Sequence, residues 1–185
     1  MNGFTIDLGG DRRRTAAAGG RVRHHGAVTA FQDELRGNHC WGCGADNPDG
    51  LHLKSAWDGA EAVARWTPSP AHAAGPLHVV NGGIIATLLD CHGVCTAIAD
   101  AYRREGRPIG SDPDIWFATT SMRVDYLRPT PIDAELELRA SIHESPGDRA
   151  AVGCTLTAGG KERARAVVES VRVPDEWRRG PRASG

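Results

Sequence analysis

Residues 83–104 read GIIATLLDCHGVCTAIADAYRR, and the fold turns on this stretch. Ile84, Ile85, Leu88, Leu89, Val94, Cys95, Ile98, Ala99 and Tyr102 recur at offsets of three and four, the spacing of an α-helix. Its first two turns are apolar nearly all round. Such a helix offers water no face and has to be buried. Gly93 interrupts the pattern, and Glu105-Gly106 supplies a glycine stop.

Working outward, LHLKSAW (51–57) and AEAVARW (60–66) alternate in part and flank Asp58-Gly59, which predicts a β-hairpin. A Pro-, Ala- and Gly-rich loop, SPAHAAGPLHVV (69–80), leads into the helix. Four extended stretches follow it: IWFATTSMRVDYL (115–127), AELELRASIHE (134–144), RAAVGCTLTA (149–158) and ERARAVVESVRV (162–173). Met122, Val124 and Tyr126 share one parity, as do Leu136 and Leu138, and Ala166, Val168 and Ser170. Ser145-Pro146-Gly147-Asp148 and Ala158-Gly159-Gly160-Lys161 are hairpin-type turns. Two strands, one buried helix and four antiparallel strands pack most economically as one sheet wrapped on the helix. The expected class is therefore α+β, with the architecture of a hotdog fold. Residues 1–36 read as an N-terminal arm with a short helix between Ala27 and Arg36, residues 37–173 as the domain, and residues 174–185 as a tail.

The chain has 185 residues, enough for one ordinary domain, and its apolar share of 40% suffices for a core. A formal charge of -1 gives no global pull toward nucleic acid or an anionic membrane. Only Lys54 and Lys161 are lysines among the 22 basic residues, a bias that genome composition also produces. Trp41, Trp57, Trp66, Trp116 and Trp177 are scattered and do not interleave with a basic stripe, so they are expected in the core or a pocket, with no nucleic-acid partner. No uninterrupted apolar run approaches the roughly 20 residues of a membrane span. The longest candidate is broken by Asn81, Gly82 and Gly83. The N-terminus lacks a signal-peptide core, and the five cysteines are not spread as a disulfide framework. The expectation is a cytoplasmic protein without a membrane partner.

Candidate chemistry clusters at the start of the buried helix. Gly82 and Gly83 at a helix mouth allow a ligand to approach free backbone N–H groups. The positive end of the helix dipole would stabilise an oxyanion there. Asp90 lies about two turns further on among apolar neighbours, and a carboxylate in such a place is costly without a purpose. A general base or nucleophile for an acyl carbonyl is one purpose; pairing with an Arg or capping a backbone group is another. Asp90 follows Gly83 by seven residues, which returns it to nearly the same helix face but about 10 Å along the axis. Two antiparallel copies across a dyad could bring the glycine amide of one chain to the Asp90 of the other. A homodimer with two composite sites follows from that spacing.

NGGIIATLLDCHG followed by MRVDYLRPTP resembles the thioesterase superfamily of hotdog proteins, in particular PaaI-like acyl-CoA thioesterases, and CWGCGADNPDGLHL is similar to a segment of one branch of it. The resemblance covers roughly residues 39–173. It implies a dimer or dimer of dimers that hydrolyses acyl-CoA thioesters without metal or other cofactor. In the family a glycine backbone amide after a His-Gly-Gly start polarises the carbonyl, and a carboxylate down the helix activates water or attacks. By position these are Gly82 and Gly83, and Asp90. Asn81 stands where the family has His; its amide can hold the loop or the thioester but carries no proton near neutral pH, and His78 is a candidate stand-in. Thr119, with Thr120 and Ser121 beside it, is placed where related enzymes carry a positioning hydroxyl, and strand parity does not choose among the three. Arg128 is a candidate for the phosphates of CoA. A non-catalytic acyl-CoA binder on the same fold is the alternative; a dehydratase is disfavoured because it wants a His base. His92, two residues after Asp90, points away from it on a helix.

His39-Cys40-Trp41-Gly42-Cys43 has half a zinc spacing, and Cys91, His92 and Cys95 could add ligands. Nothing in the sequence makes the two groups converge, and buried cysteines often serve as small hydrophobes. No metal is expected on this reading. A redox role for the pair is disfavoured, because Asp46-Asn47-Pro48-Asp49-Gly50 follows it in place of a helix.

Overall fold

A computed structural model describes residues 29–179. Most of the expected N-terminal arm and the end of the expected tail lie outside the described residues. In chain order the elements are α1 (Phe31–Glu34), β1 (Ser55–Asp58), β2 (Glu61–Trp66), a 3-10 turn (Pro70–His72), α2 (Gly82–Arg104), β3 (Trp116–Tyr126), β4 (Leu136–Glu144), β5 (Arg149–Ala158), β6 (Lys161–Val173) and α3 (Asp175–Arg179). The strands form one antiparallel sheet in the order β1-β2-β4-β5-β6-β3. β3 therefore leaves its chain neighbour β4 and closes the far edge against β6.

The strands pack one parity onto α2. Leu136, Leu138 and Ala140 of β4, Val152, Cys154 and Leu156 of β5, and Ala164, Ala166 and Val168 of β6 are all buried. They meet Ile85, Leu88, Leu89, Cys95, Ile98 and Tyr102 of the helix within one core. Each large side chain buried this way contributes about 1.5–3 kcal/mol. By length and apolarity α2 meets the criterion for a membrane span, yet most of it is buried inside the protein. The wrapped core helix of the hotdog fold is what the sequence pattern reflects.

Burial in the core begins before residue 37: Phe31 and Leu35 are both buried. Gln32, between them, donates to Ser55 Oγ (3.1 Å) and accepts from the Ser55 N–H (2.8 Å). Ser55 Oγ lies 2.9 Å from His92 Nδ1, and His92 Nε2 lies 3.2 Å from the carbonyl of Ala62. A carbonyl only accepts, so Nε2 carries the proton and Nδ1 accepts from Ser55. Burial holds His92 neutral, pushing it down to about 4. This histidine is a satisfied core residue that ties α2 to the β1–β2 hairpin.

Gly93 is explained by the sheet above it. A Cβ there would sit 2.9 Å from both Cβ and Cγ2 of Val168 and 3.3 Å from Cys154 Sγ. The glycine lets the helix approach β6 closely, which outweighs the propensity of about 1 kcal/mol that it gives up. Gly93→Val should overpack this contact and destabilise the fold by about 1–3 kcal/mol, read as a lower urea midpoint; an unchanged midpoint would contradict the packing described.

Candidate active site

The two motifs at the helix mouth are joined in space. The Val80 N–H donates to the Thr130 carbonyl (2.9 Å), and the Ile132 N–H to the His78 carbonyl (3.1 Å). The segment that follows β3 thus fixes the segment that leads into α2. Asn81 then turns the chain with φ -59° and ψ 134°, and its Oδ1 accepts from the Gly83 N–H at 2.7 Å. This is an N-cap, a position that favours Asn because its side-chain oxygen satisfies one of the unpaired donors of the first turn. A Cβ on Gly83 would lie 3.1 Å from that same oxygen.

The cap distinguishes the two glycines. The Gly83 N–H is committed to Asn81, whereas the Gly82 N–H, first in the helix, has no intrahelical acceptor. Tyr126 Oη donates to the Gly82 carbonyl at 2.8 Å, so the last residue of β3 pins the mouth of α2. Tyr126 is not among the sequence-based candidates; its parity with Met122 and Val124, which puts it on the helix side of β3, is the available signal.

Asp90 sits further down α2, half-buried, and accepts from Thr119 Oγ1 at 2.6 Å. Burial is the largest influence on its carboxyl and raises it above the ordinary range, while the Thr119 hydrogen bond pulls it partly back. The charge of Asp90 and, above all, burial push the Cys154 thiol up to about 12. Thr120 and Ser121 turn elsewhere: Thr120 Oγ1 donates to the Glu169 carbonyl (3.2 Å) and Ser121 Oγ to the Glu169 carboxylate (2.8 Å). The register of β3 on β6 shifts between Thr119 and Ser121. That bulge puts Thr119 on the same face as Met122, Val124 and Tyr126, odd and even positions on either side of the shift.

A cleft of about 430 Å³ opens beside the carboxylate. Asp90, Val94 and Ile98 line it at helical spacing, with Trp116, Phe117 and Thr119 opposite. The glycine mouth is not at this end. Gly82 and Asp90 are eight residues apart, about 12 Å along one helix. Arg128 donates to the Glu162 carbonyl at 2.8 Å and lines a shallow surface depression with Lys161 and Glu162. His78 is exposed and engaged through its backbone.

The cysteine pairs converge. Cys40, Cys43 and Cys91 place their sulfurs within 4.8 Å of one another, and Cys95 lies 3.8 Å from Cys43. Their thiols form a wall of the cleft next to Asp90.

Residues 77–165 match the family model of the thioesterase superfamily. A solved thioesterase superfamily protein from Shewanella loihica PV-4 is 36% identical, with 66% of this chain and 91% of that one covered at a TM-score of 0.54. The chain belongs to the thioesterase superfamily. The fold is shared more widely. The PaaI protein of the phenylacetic acid degradation operon of E. coli is 16% identical over 67% of this chain and 81% of that one (TM-score 0.55). A Streptococcus mutans UA159 protein solved with acetyl-CoA is 14% identical over 65% and 88% (TM-score 0.53). No curated protein sequence matches the chain.

In this superfamily member the Thr119 hydroxyl opposes the effect of burial on Asp90. Thr119→Val should therefore move the Asp90 titration further up in pH, followed by carboxyl-carbon NMR. An unshifted midpoint would show that the hydrogen bond does not act on the carboxylate.

Proposed function

We propose that the protein hydrolyses an acyl-CoA thioester to the free acid and CoA, working as a homodimer or dimer of dimers with composite sites. The observation that carries this reading is the half-buried Asp90, held by Thr119 at the head of an apolar cleft. The acyl group lies along Val94 and Ile98, and its carbonyl sits at Asp90. Water attacks the carbonyl as Asp90 takes its proton, or Asp90 attacks directly and water releases the acid in a second step. The Gly82 N–H of the partner subunit stabilises the oxyanion. Collapse of the tetrahedral intermediate breaks the C–S bond, and the departing CoA sulfur takes the proton held by Asp90 in the first route and a solvent proton in the second.

Several features support these roles. A carboxylate raised by desolvation is a stronger base than an exposed one. Asn81 spends its side-chain oxygen on the Gly83 amide, so it shapes the mouth and carries no proton. That leaves Gly82 as the amide for the oxyanion. Arg128 stands at the surface, where its guanidinium can meet CoA phosphates. The acetyl-CoA in the Streptococcus mutans fold relative is in keeping with a CoA ligand.

Release of CoA, followed chromatographically across short, medium, long and aromatic acyl-CoAs, tests the reading without a thiol reagent that the cysteines would consume. Asp90→Asn should abolish turnover and keep ligand binding. Gly82→Pro removes one N–H with little else. Proline is favoured at the first helical position, the extended Asn81 suits a following proline, and the three atoms nearest an added Cβ all belong to Tyr126, at an ordinary contact distance of 3.6 Å. The expected loss is about 10²–10³-fold in kcat. Binding without hydrolysis of any thioester would make this a ligand-binding member of the family, and full activity in either variant would remove that residue from the mechanism.

A further inference from the structure

Four thiols meet where the loop of residues 38–50 crosses α2. Cys40 Sγ lies 3.6 Å from Cys91 Sγ, and Cys43 Sγ lies 3.8 Å from Cys95 Sγ. Two cross-contacts, Cys43 to Cys40 and Cys43 to Cys91, are short as well, because these three sulfurs all fall within 4.8 Å of one another, and Cys95 joins them through Cys43. Sulfurs bound to one tetrahedral zinc at about 2.3 Å stand about 3.8 Å apart. Pairwise disulfides would account for two of these contacts but not for the approach of Cys43 to both Cys40 and Cys91. We propose that Cys40, Cys43, Cys91 and Cys95 bind one zinc ion in a closed, structural site.

The local backbone is built for this convergence. The Gly44 N–H donates to the Cys40 carbonyl at 2.7 Å, which closes a tight turn around the first pair. A Cβ on Gly44 would come within 2.4 Å of the Asn38 carbonyl oxygen, so only glycine passes there. Gly42 is constrained from the other side: its Cβ would lie 2.3 Å from Cys91 Sγ. Glycine at this position brings the loop backbone against the helix thiol. Cys91 and Cys95 are one helical turn apart and share a face.

Asn38 completes the arrangement. It is buried, its Nδ2 donates to Cys43 Sγ at 3.8 Å, and its Oδ1 accepts from the Cys40 N–H at 3.1 Å. An amide donating to a ligand sulfur is the kind of outer contact that stabilises a bound thiolate. The two neighbouring histidines are outside the ligand set. His92 is committed to Ser55 and Ala62, and His39 Nδ1 lies 3.2 Å from the Asp46 carbonyl. Four protein sulfurs leave no open position for water, so the ion takes no part in hydrolysis. Each thiol gives up its proton on ligation, and four protons leave per zinc bound. The ion would clamp the loop to α2 at the residue following Asp90, fixing that wall of the cleft.

The test uses untagged, full-length protein purified without chelator, and is independent of turnover. Elemental analysis should give about one zinc per chain, and a mercurial thiol reagent should release it. Cobalt in place of zinc should show the strong visible bands and near-ultraviolet charge transfer of a tetrahedral thiolate site. Cys43→Ser and Cys95→Ser should lose the metal, while Cys154→Ser, outside the cluster, should retain it. The cobalt spectrum of the unaltered protein stands even if the variants fail to fold. Folded protein that takes up neither metal, an intact mass showing disulfides among the four, or a cobalt spectrum unchanged by Cys43→Ser would each overturn the proposal.

Discussion

Helix α2 has too little polar surface to stand in water, and every other element answers to that constraint. Its 23 residues are wrapped by one antiparallel sheet, and the small residues of the helix set how close the sheet can come. Gly93 is the tightest example, since Val168 occupies the space of its missing side chain. Wrapping also desolvates whatever polar group the helix carries on its covered faces. His92 finds Ser55 and the Ala62 carbonyl and stays neutral. Asp90 finds, among the described residues, Thr119 alone and is left with a carboxyl raised by burial. That difference separates a core histidine from the candidate catalytic carboxylate two residues away on the same helix.

The helix geometry also limits what one chain can do alone. The free amide at Gly82 and the carboxylate at Asp90 are about 12 Å apart along the axis, too far for one carbonyl to use both. β3 lies at the sheet edge, and it carries both Thr119 and Tyr126. The residues that hold Asp90 and the helix mouth therefore lie on a strand that, among the described residues, is unpaired on one side. An antiparallel second copy brought to this edge supplies the proposed composite site.

Much of this was legible in the sequence, because hydrophobic period is a local signal. The helix and the four later strands stand where their patterns put them, the β1–β2 hairpin forms with its first strand shortened to Ser55–Asp58, and the Gly82–Asp90 spacing follows from the helix alone. The remainder depended on contacts that no local pattern encodes. Choosing Thr119 among Thr119, Thr120 and Ser121 required the bulge in β3, which no local pattern shows. Tyr126 holds Gly82 across 44 residues. The convergence of Cys40 and Cys43 with Cys91 and Cys95 depends on a loop crossing the helix more than 50 residues away in the chain. Glycines at 42 and 44 permit that crossing, but they reveal their purpose only when their neighbours are known.

The central claim is that the amide and the carboxylate of one site come from different chains. Mixing Asp90→Asn with Gly82→Pro subunits, by co-refolding in equal amounts, measures it directly. Composite sites predict recovery to about a quarter of the wild-type rate, because half of the dimers are hybrids and each hybrid holds one intact site. Activity that stays at the level of the two parents would contradict the account.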